Sequence, residues 1–407
     1  MIKPKIKHLR HPLRTAAAAK DLAALHFKIK MLGDRGYRRY RKDPRYDLMN
    51  VSNGFASRLE VLPGDSKLLE RICASYIRAV KRERVAPEIY QASAWWRQVR
   101  LASLGPVMRA LENRDIESLC GMYSNFFRDP SSTGLVSVPY SMTKAYFGGQ
   151  IKDTYRRFLL GDALYAIDYW RMRTGDRYPL DVLAGPDFGN PFGITIGETL
   201  VRTGAAYQHY SAHKVAGYLQ SGKATVAEFG GGFGGMAYYL LRDQTGVKYI
   251  DFDVPESLAL TSYYLLRSFP HLKFLLYGES DVTAQSVAHA DVVLMPLFEM
   301  ESLATESVDV VFSSHAMSDI SRAAMSAYLK TVARVTTGCF LYFGNAHGAE
   351  SIRNLTDEAD QRLCLDEISR SSWNAHRIPM ADEFECVFKP EAALESTAVY
   401  SARKAGR

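Results

Sequence analysis

Apolar residues recur at helical spacing through the first half of the chain. Near the N-terminus, four residues spaced three or four positions apart place one apolar face on a helix: Leu22, Leu25, Ile29 and Leu32. The same period predicts further helices at Ser66–Val80, Tyr90–Leu104, Thr154–Arg173 and Thr203–Gln220. Glycine and proline cluster between Leu180 and Gly197, which indicates a loop. We therefore predict a mainly helical region from Asp47 to about Lys223.

The pattern changes after Lys223, where short β-rich runs alternate with helical stretches. Strands are predicted at Thr225–Phe229, Lys248–Phe252, Lys273–Tyr277, Asp291–Met295, Val308–Ser313 and Cys339–Phe343. The helices between them are predicted at Met236–Arg242, Glu256–Ser268 and Arg322–Val335. Two last strands, Glu383–Phe388 and Thr397–Ala402, are predicted to pair with each other. This alternation favours an α/β fold with a mainly parallel sheet covered by helices on both faces.

Positive charge is concentrated at the N-terminus. The net charge is +7, yet residues 1–46 alone contribute +11, from 14 lysines and arginines and three aspartates. Two interpretations of this basic arm stay open: a peripheral contact with an anionic membrane, or a solvated tail that leads into the first packed helix. A nucleic-acid-binding fold is not indicated, because the rest of the chain is mildly acidic.

The composition bears on the cellular compartment and on whether the chain has disulfides or a zinc site. The five cysteines include no Cys-x-x-Cys pair, which argues against a disulfide framework and against a zinc knuckle. No apolar run approaches the roughly 20 residues that span a bilayer, and the N-terminus lacks a secretory signal pattern. We expect a cytoplasmic protein, with any membrane contact at its periphery, and we predict no metal site. The sequence leaves the oligomeric state open.

A glycine-rich turn between the first strand and the next helix is the strongest local signal. The run Val226-Ala-Glu-Phe-Gly-Gly-Gly-Phe-Gly-Gly-Met236 places five glycines in six positions. Glycine permits positive φ and lets a ligand approach the backbone closely, and a helix N-terminus supplies unpaired N–H groups. Because glycine costs stability where it is not needed, we predict a ligand-binding loop here.

Two cofactor classes fit this loop. Gly230-x-Gly232-x-x-Gly235 matches the dinucleotide fingerprint of nicotinamide-dependent oxidoreductases. Glu228-x-Gly230-x-Gly232-x-Gly234 matches the methyltransferase pattern of an acidic residue shortly before the first glycine. Asp253, at the end of the second strand, would bind the ribose hydroxyls of either cofactor. Glu228 favours S-adenosylmethionine, which carries a sulfonium and an ammonium group, because a carboxylate would repel a pyrophosphate.

Short stretches between Gly189 and Ala402 carry a resemblance to a known family. They are Gly189-Asn-Pro-Phe-Gly, Tyr207-Gln-His-Tyr-Ser-Ala-His-Lys-Val, Glu228-Phe-Gly-Gly-Gly-Phe-Gly-Gly, Leu276-Tyr-Gly-Glu, Val293-Leu-Met-Pro-Leu-Phe, Ser313-Ser-His-Ala-Met-Ser-Asp-Ile and Gly344-Asn345. About half of the chain thereby resembles the bacterial sugar O-methyltransferases, within the class I Rossmann-like methyltransferases. That family is expected to have Asn before its Ser-His stretch and Glu in place of Asp319, so Ser313 and Asp319 depart from it.

The resemblance implies a cofactor, an acceptor and a set of site residues. The cofactor is S-adenosylmethionine, and the acceptor is a hydroxyl group of a sugar or glycan. The residues implied for the cofactor are Glu228, Gly230, Gly232, Gly234, Asp253, Phe298 and Ser313. The residues implied near the acceptor are His209, Tyr210, His213 and Asn345.

A catalytic base is predicted on the segment that follows the strand Val308–Ser313. Methyl transfer requires alignment of the nucleophile and removal of its proton, and a sugar hydroxyl is a poor acid. The segment lies at the carboxyl end of a strand, where ligands bind in such sheets. His315 is the first candidate and Asp319 the second. Four positions apart, they would share a helix face on which Asp319 orients the imidazolium. The alternative for His315 is a hydrogen-bonded packing role.

Other aromatic and histidine side chains have open roles. His209 and His213 are also four apart, with Tyr210 between them, and could line the cofactor or acceptor cleft or simply pack. They could bind zinc only with a third ligand, which is not visible nearby. Three tryptophans of the helical region could stack on a sugar ring or fill the core: Trp95, Trp96 and Trp170.

The patterns together predict a three-part chain. It consists of the basic arm at 1–46, a helical region at 47–200 that caps the site or binds the acceptor, and a cofactor domain at 201–407. The leading function is an S-adenosylmethionine-dependent O-methyltransferase acting on a sugar or glycan. The alternatives are a nicotinamide-dependent oxidoreductase with the same loop, and a non-catalytic module associated with glycan or membrane.

Overall fold

The structure is a computed structural model that describes residues 12–59, 65–136, 153–220, 222–357, 363–377 and 383–391. Its N-terminal half is helical, as predicted. The helices are α1 (Pro12–Tyr40), α2 (Leu48–Ser52), α3 (Ser66–Glu83), α4 (Ala94–Val99), α5 (Gly105–Asn113), α6 (Ile116–Tyr123) and α7 (Asp153–Thr174). The predicted helix at Tyr90–Leu104 is interrupted: Tyr90 ends a 3₁₀ turn, and a π-helical turn follows α4. Pro106, which has no N–H to donate, lies just beyond that turn.

A short hairpin links the helical region to the sheet. Strands β1 (Gly193–Ile196) and β2 (Thr199–Arg202) pair antiparallel, and α8 (Ala205–Ala216) follows. Strand β1 lies inside the segment predicted as a loop. Strand β2 also runs across the predicted domain boundary at residue 200, and that boundary stays a prediction.

The remaining strands of the described residues form one eight-stranded sheet. They are β3 (Ala224–Phe229), β4 (Val247–Asp253), β5 (Phe274–Leu276), β6 (Val292–Pro296), β7 (Val308–Ser314), β8 (Thr336–Asn345), β9 (Leu363–Ser371) and β10 (Glu383–Pro390). Their order is β5-β6-β4-β3-β7-β8-β10-β9. The first six are parallel, and β10 is antiparallel to both β8 and β9. The order reverses between β3 and β7, which is where ligands bind in sheets of this kind.

Helices cover both faces of this sheet. They are α9 (Gly235–Asp243), α10 (Pro255–Ser268), α11 (Ala284–His289), α12 (Arg322–Val335) and α13 (Ala346–Asp357). Alternate strand residues enter two hydrophobic clusters: Val226 and Val310 join one, and Ala227 and Val311 join the other. Strands buried on both faces are typical of parallel sheets. The α/β, Rossmann-like fold class with a helical N-terminal region is therefore confirmed.

The end of the chain departs from the predicted pairing. Strand β10 confirms the predicted strand at Glu383, but its partners are β8 and β9. Strand β9 was not predicted, because Leu363–Ser371 mixes exposed charged residues with few apolar ones. The other predicted strand, Thr397–Ala402, lies outside the described residues.

Much of the predicted basic arm is a packed helix. Helix α1 lies along α7, and Ile29, Leu32 and Tyr40 are buried between them. Gly36 packs so closely against Gly161 that the Cβ of a larger residue would meet the Gly161 Cα at 2.9 Å. Residues 1–11 lie outside the described part. No described helix is long and apolar enough to cross a membrane.

Candidate functional site

A cavity of about 310 Å³ opens at the point where the strand order reverses, and we call it the loop cavity. The glycine loop contributes Gly230 and Gly232, and β4 contributes Asp253. Ser314 at the end of β7 and His315 directly after it complete this side. The helical region closes the opposite side with a set of polar and apolar residues: Gln91, Ser93, Trp95, Trp96, Gly134 and Leu135. The predicted glycine loop, the predicted ribose-binding residue Asp253 and the predicted base His315 therefore line the same cavity.

The loop conformation depends on the absence of side chains at two positions. Gly230 has φ +80° and Gly232 has φ +64°, which are left-handed values that favour glycine. A Cβ at Gly230 would overlap the Ala316 side chain, whereas a Cβ at Gly232 would find its nearest neighbour, the Leu135 carbonyl oxygen, at 3.7 Å. The absence of a side chain at Gly230 lets the loop pack against Ala316, and the absence of one at Gly232 leaves the cavity open.

Four N–H groups of the loop are already used inside the protein. Gly230 donates to the carbonyl of Phe252 at 2.9 Å, and Gly234 to that of Gly231 at 3.0 Å. Gly231 donates to Oδ1 of Asp251, and Gly232 to Oδ2 of Asp253, both at 3.0 Å. A pyrophosphate cradled by a glycine loop needs such N–H groups for itself. In this loop, carboxylates take two of them.

Three acidic residues lie under or beside the loop. Burial raises the pKa of Glu228 to about 8, and its Oε2 accepts a hydrogen bond of 2.6 Å from the Tyr249 hydroxyl. Burial also raises the pKa of Asp253 to about 6, and burial beside two other carboxyl groups raises that of Asp251. Glu228 does not line the cavity, so it acts beneath the loop and not on the ligand directly. The sequence argument that its full negative charge faces the ligand is therefore corrected.

Asp253 is held in position by a set of donors. Besides the Gly232 N–H, it accepts from the Val254 N–H at 2.7 Å and from the Ser257 hydroxyl at 2.6 Å. The Ser257 hydroxyl also lies 2.9 Å from the Gly232 carbonyl oxygen, so this serine ties the loop to α10. The carboxylate thus faces the cavity from a fixed position, which suits recognition of a diol.

His315 adopts a strained backbone conformation directly after β7. Its φ is +60°, unusual for a residue with a side chain, and its N–H donates to the Phe343 carbonyl at 2.8 Å. Its Nε2 lies 3.6 Å from Oε1 of Glu383. The backbone of Asp319 ends the 3₁₀ turn Ala316–Asp319, and its side chain lies outside the described part. Whether Asp319 serves as a base therefore stays a prediction.

A second cavity of about 200 Å³ shares His315 with the loop cavity, and we call it the Trp373 cavity. Polar and aromatic side chains line it: Asp162, Arg202, Tyr207, His315, Trp373, Asn374 and Arg377. Asp162 and Arg377 form a two-pronged ion pair, with Nε–Oδ1 at 2.8 Å and Nη2–Oδ2 at 2.7 Å. His315 lines both cavities, so the two cavities adjoin at this residue.

Two further contacts shape the wall of the Trp373 cavity. The hydroxyls of Tyr207 and Ser314 lie 2.6 Å apart, which joins α8 to the end of β7. The Trp373 ring lies edge-on to Tyr207, with centroids 5.2 Å apart, and its buried Nε1–H has no acceptor among the described residues. Trp373 is not among the tryptophans that the sequence predicts as sugar-stacking residues. Two of those, Trp95 and Trp96, line the loop cavity.

The histidines of α8 lie in a packed layer away from both cavities. His209 Nδ1 accepts from the Trp170 indole N–H at 3.1 Å, and burial lowers the pKa of His209 to about 4. His213 Nδ1 lies 3.0 Å from the Tyr178 hydroxyl. The Tyr210 hydroxyl donates to Glu385 at 2.7 Å. None of these three side chains lines a described cavity, and no cluster of potential metal ligands occurs among the described residues.

Four other residues implied by the resemblance have supporting positions. Ser313 is fully buried and donates to the Phe229 carbonyl at 2.9 Å. Gly234 begins α9 against Leu265, and Phe298 packs edge-on to Tyr277 with centroids 5.4 Å apart. Asn345 is exposed at the end of β8, where its Oδ1 accepts from the Gly348 N–H at 2.8 Å. None of the four lines the loop cavity or the Trp373 cavity.

Most residues that line the Trp373 cavity could not be predicted from the sequence. Asp162 lies within α7, Arg202 ends β2, and Trp373 and Arg377 lie between β9 and β10. Each is an ordinary residue of its own segment, and only the packing of these segments joins them. Tyr207 begins one of the stretches that carry the resemblance and lines this cavity, whereas the two histidines that follow it do not.

Solved structures of methyltransferases resemble part of the chain. No family model matches it, and no curated protein matches it. A TehB-like S-adenosylmethionine-dependent methyltransferase from Corynebacterium glutamicum is 12% identical, with a TM-score of 0.31, over 56% of this chain and 98% of its own. A geranyl diphosphate C-methyltransferase from Streptomyces coelicolor is 12% identical, with a TM-score of 0.33, over 48% and 78%. A SAM-dependent methyltransferase from Aquifex aeolicus is 12% identical, with a TM-score of 0.31, over 44% and 88%.

Proposed function

We propose that this protein is an S-adenosylmethionine-dependent O-methyltransferase that acts on a hydroxyl group of a sugar or glycan. One observation carries the proposal: His315 lines both the loop cavity and the Trp373 cavity. A donor cofactor on one side and an acceptor hydroxyl on the other would meet beside a single imidazole. Direct transfer between two bound molecules requires this arrangement of adjoining sites.

The chemistry of the loop cavity fits S-adenosylmethionine better than a dinucleotide. Its fixed carboxylate, Asp253, can accept hydrogen bonds from a ribose diol. The N–H groups of Gly231 and Gly232 are bonded to carboxylates, so they do not offer a pyrophosphate the cradle it needs. Asp253 lines the cavity and its pKa of about 6 leaves it ionised at neutral pH, so its charge favours a cationic cofactor over a pyrophosphate. When bound, this cofactor supplies an electrophilic methyl group, and the residues of the chain bind and orient it.

The Trp373 cavity has the composition of a site for a polar, hydroxyl-rich ligand. The Asp162–Arg377 pair and Asn374 offer acceptors and donors close together, and Trp373 adds an aromatic wall. Sugars present apolar ring faces and many hydroxyls, so they match a site of this kind. The small volume of about 200 Å³ suits one sugar ring and leaves further rings outside.

In this proposal His315 removes the proton of the acceptor hydroxyl. Glu383 lies behind the imidazole and is the positioning residue, because it favours the protonated ring that forms as the proton is taken. His315 contributes to the lining of both cavities from a backbone with φ +60°. No part of this assignment uses a metal ion.

Two experiments test the proposal in sequence. Calorimetry with S-adenosylhomocysteine, with S-adenosylmethionine and with NAD should show binding of the first two alone, and NAD binding would favour the oxidoreductase instead. Incubation with labelled methyl donor and a glycan fraction, followed by mass spectrometry, should then identify a methylated sugar. The Arg377→Lys variant should bind the cofactor normally and methylate poorly. Cofactor binding with no transfer to any glycan would favour the non-catalytic module.

A further inference from the structure

Helix α1 has two faces of different character. One face packs on α7 through Ile29, Leu32, Gly36 and Tyr40, all buried. The opposite face presents two large apolar side chains one helical turn apart: Phe27 is 70% exposed and Met31 51% exposed. Their exposure matters because the buried face already satisfies the packing of this helix. We call the exposed side the outer face of α1.

Basic side chains surround this apolar pair. The exposed ones are Lys20, Lys28, Lys30, Arg35 and Arg38. None of these five forms an ion pair within the described part of the chain. Asp34 lies on the same side, but it is paired with Arg157 at 3.2 Å. The outer face therefore combines unpaired positive charge with exposed apolar surface on one 29-residue helix.

We propose that the outer face of α1 binds an anionic lipid surface, with Phe27 and Met31 inserted among the acyl chains and the surrounding lysines and arginines on the headgroups. Positive charge alone would fit any polyanion. The apolar pair favours a membrane, because a lipid interface admits an exposed phenyl ring and a thioether side by side, whereas a nucleic-acid duplex admits such side chains only by unstacking base steps, at an energetic cost. The charge complementarity is with anionic phospholipid headgroups. This inference is independent of the proposed function.

The test uses the full-length protein and co-sedimentation with vesicles of phosphatidylcholine, with and without phosphatidylglycerol. The wild type should bind only the anionic vesicles, and binding should weaken with added salt. The double variant Phe27→Ser/Met31→Ser should lower the partition coefficient by about ten-fold or more, since burial of such side chains is lost. Lys28→Glu/Lys30→Glu should lower it by more than about twenty-fold, as each basic residue contributes about five-fold.

Matched controls separate the outer face from general effects. Val85→Ser/Met172→Ser removes two apolar side chains that are 71% and 63% exposed elsewhere. Lys67→Glu/Lys81→Glu makes the same charge change on α3, where both lysines are exposed. Loss of binding that is equal in the controls and the α1 variants would overturn the proposal. So would tight binding to nucleic acid that is unaffected by Phe27→Ser/Met31→Ser, or a homodimer that this variant dissociates.

Discussion

Nε2 of His315 lies 3.6 Å from Oε1 of Glu383, although the two residues are far apart in the chain. Glu383 is buried at the start of β10, where it accepts from the side-chain amide of Asn374 at 2.5 Å and from its backbone N–H at 3.2 Å. The carboxylate is therefore fixed before any ligand binds. It lies beside the imidazole, where the sequence predicts Asp319.

Removal of the His315 imidazole should stop the chemistry without releasing the cofactor. We expect His315→Ala to lower kcat by about 10²-fold or more, with the affinity for S-adenosylhomocysteine nearly unchanged. In the wild type, the rate should rise with pH through about 6 to 7, the range of an imidazole base. The measurement is kcat against pH with one defined sugar acceptor. Near-wild-type turnover by the variant would remove His315 from the mechanism.

Glu383→Gln should have a smaller effect on the rate and a diagnostic effect on its pH dependence. A carboxylate beside an imidazole favours the protonated ring, so its loss should move the acid limb of the pH–rate profile to lower pH. The same profile measured for Asp319→Asn is the comparison. If Asp319→Asn moves the limb and Glu383→Gln does not, Asp319 is the positioning residue.

Cofactor affinity should depend on the ionisation of Asp253. Its pKa is raised to about 6, so the carboxylate is lost as the pH falls through that value. We expect the affinity for S-adenosylhomocysteine to fall below about pH 6, and Asp253→Asn to weaken binding by about 1.5–3 kcal/mol at higher pH and to remove this dependence. Calorimetry at several pH values tests this, with Asp281→Asn, an exposed aspartate, as the control. An unchanged dissociation constant would take Asp253 out of the site.

Glu228 should make the empty protein less stable at alkaline pH. Burial raises its pKa from 4.5 to about 8, so the folded protein holds this proton more tightly than the unfolded chain. The free energy of unfolding therefore falls as the pH rises through this range. Glu228→Gln, which can keep the contact with Tyr249, should be more stable than the wild type at pH 8, by more than about 1 kcal/mol, and the gain should shrink towards pH 5. Urea denaturation at both pH values checks it. A pH-independent difference would show that the titration of Glu228 is not involved.

Two loop glycines should respond differently to alanine. Gly230→Ala meets both a left-handed φ and the Ala316 side chain, and should cost more than about 2 kcal/mol of stability. Gly232→Ala meets only the strained φ, and should cost about 1 kcal/mol. Gly121→Ala, in α6 with no atom near the new Cβ, should stabilise by about 0.5–1 kcal/mol. Chemical denaturation ranks the three. An equal cost at Gly230 and Gly232 would contradict the contact with Ala316.

The sequence predicted what depends on local pattern. Strands such as Thr225–Phe229 and the helix Arg322–Val335 follow from periodicity, and the glycine loop with Asp253 follows from residue types at fixed spacing. The Trp373 cavity could not be predicted in this way, because Asp162 and Arg377 carry no pattern that announces their pairing. The spacing of His209 leaves both cleft lining and packing open, and in the structure its Nδ1 accepts from the buried Trp170 indole. Long-range packing and desolvation are not encoded in short windows of sequence.

The left-handed backbone of His315 sets stability and chemistry against each other. At φ +60°, glycine would have less backbone strain than histidine, and asparagine also tolerates positive φ. His315→Gly would relieve the backbone strain and remove the imidazole at once, so the loss of this side chain would stabilise the fold. Under the proposed function, the need for a base is what keeps a histidine at this position. In relatives of this protein, a glycine or asparagine here would then indicate a chain that keeps the fold without this base.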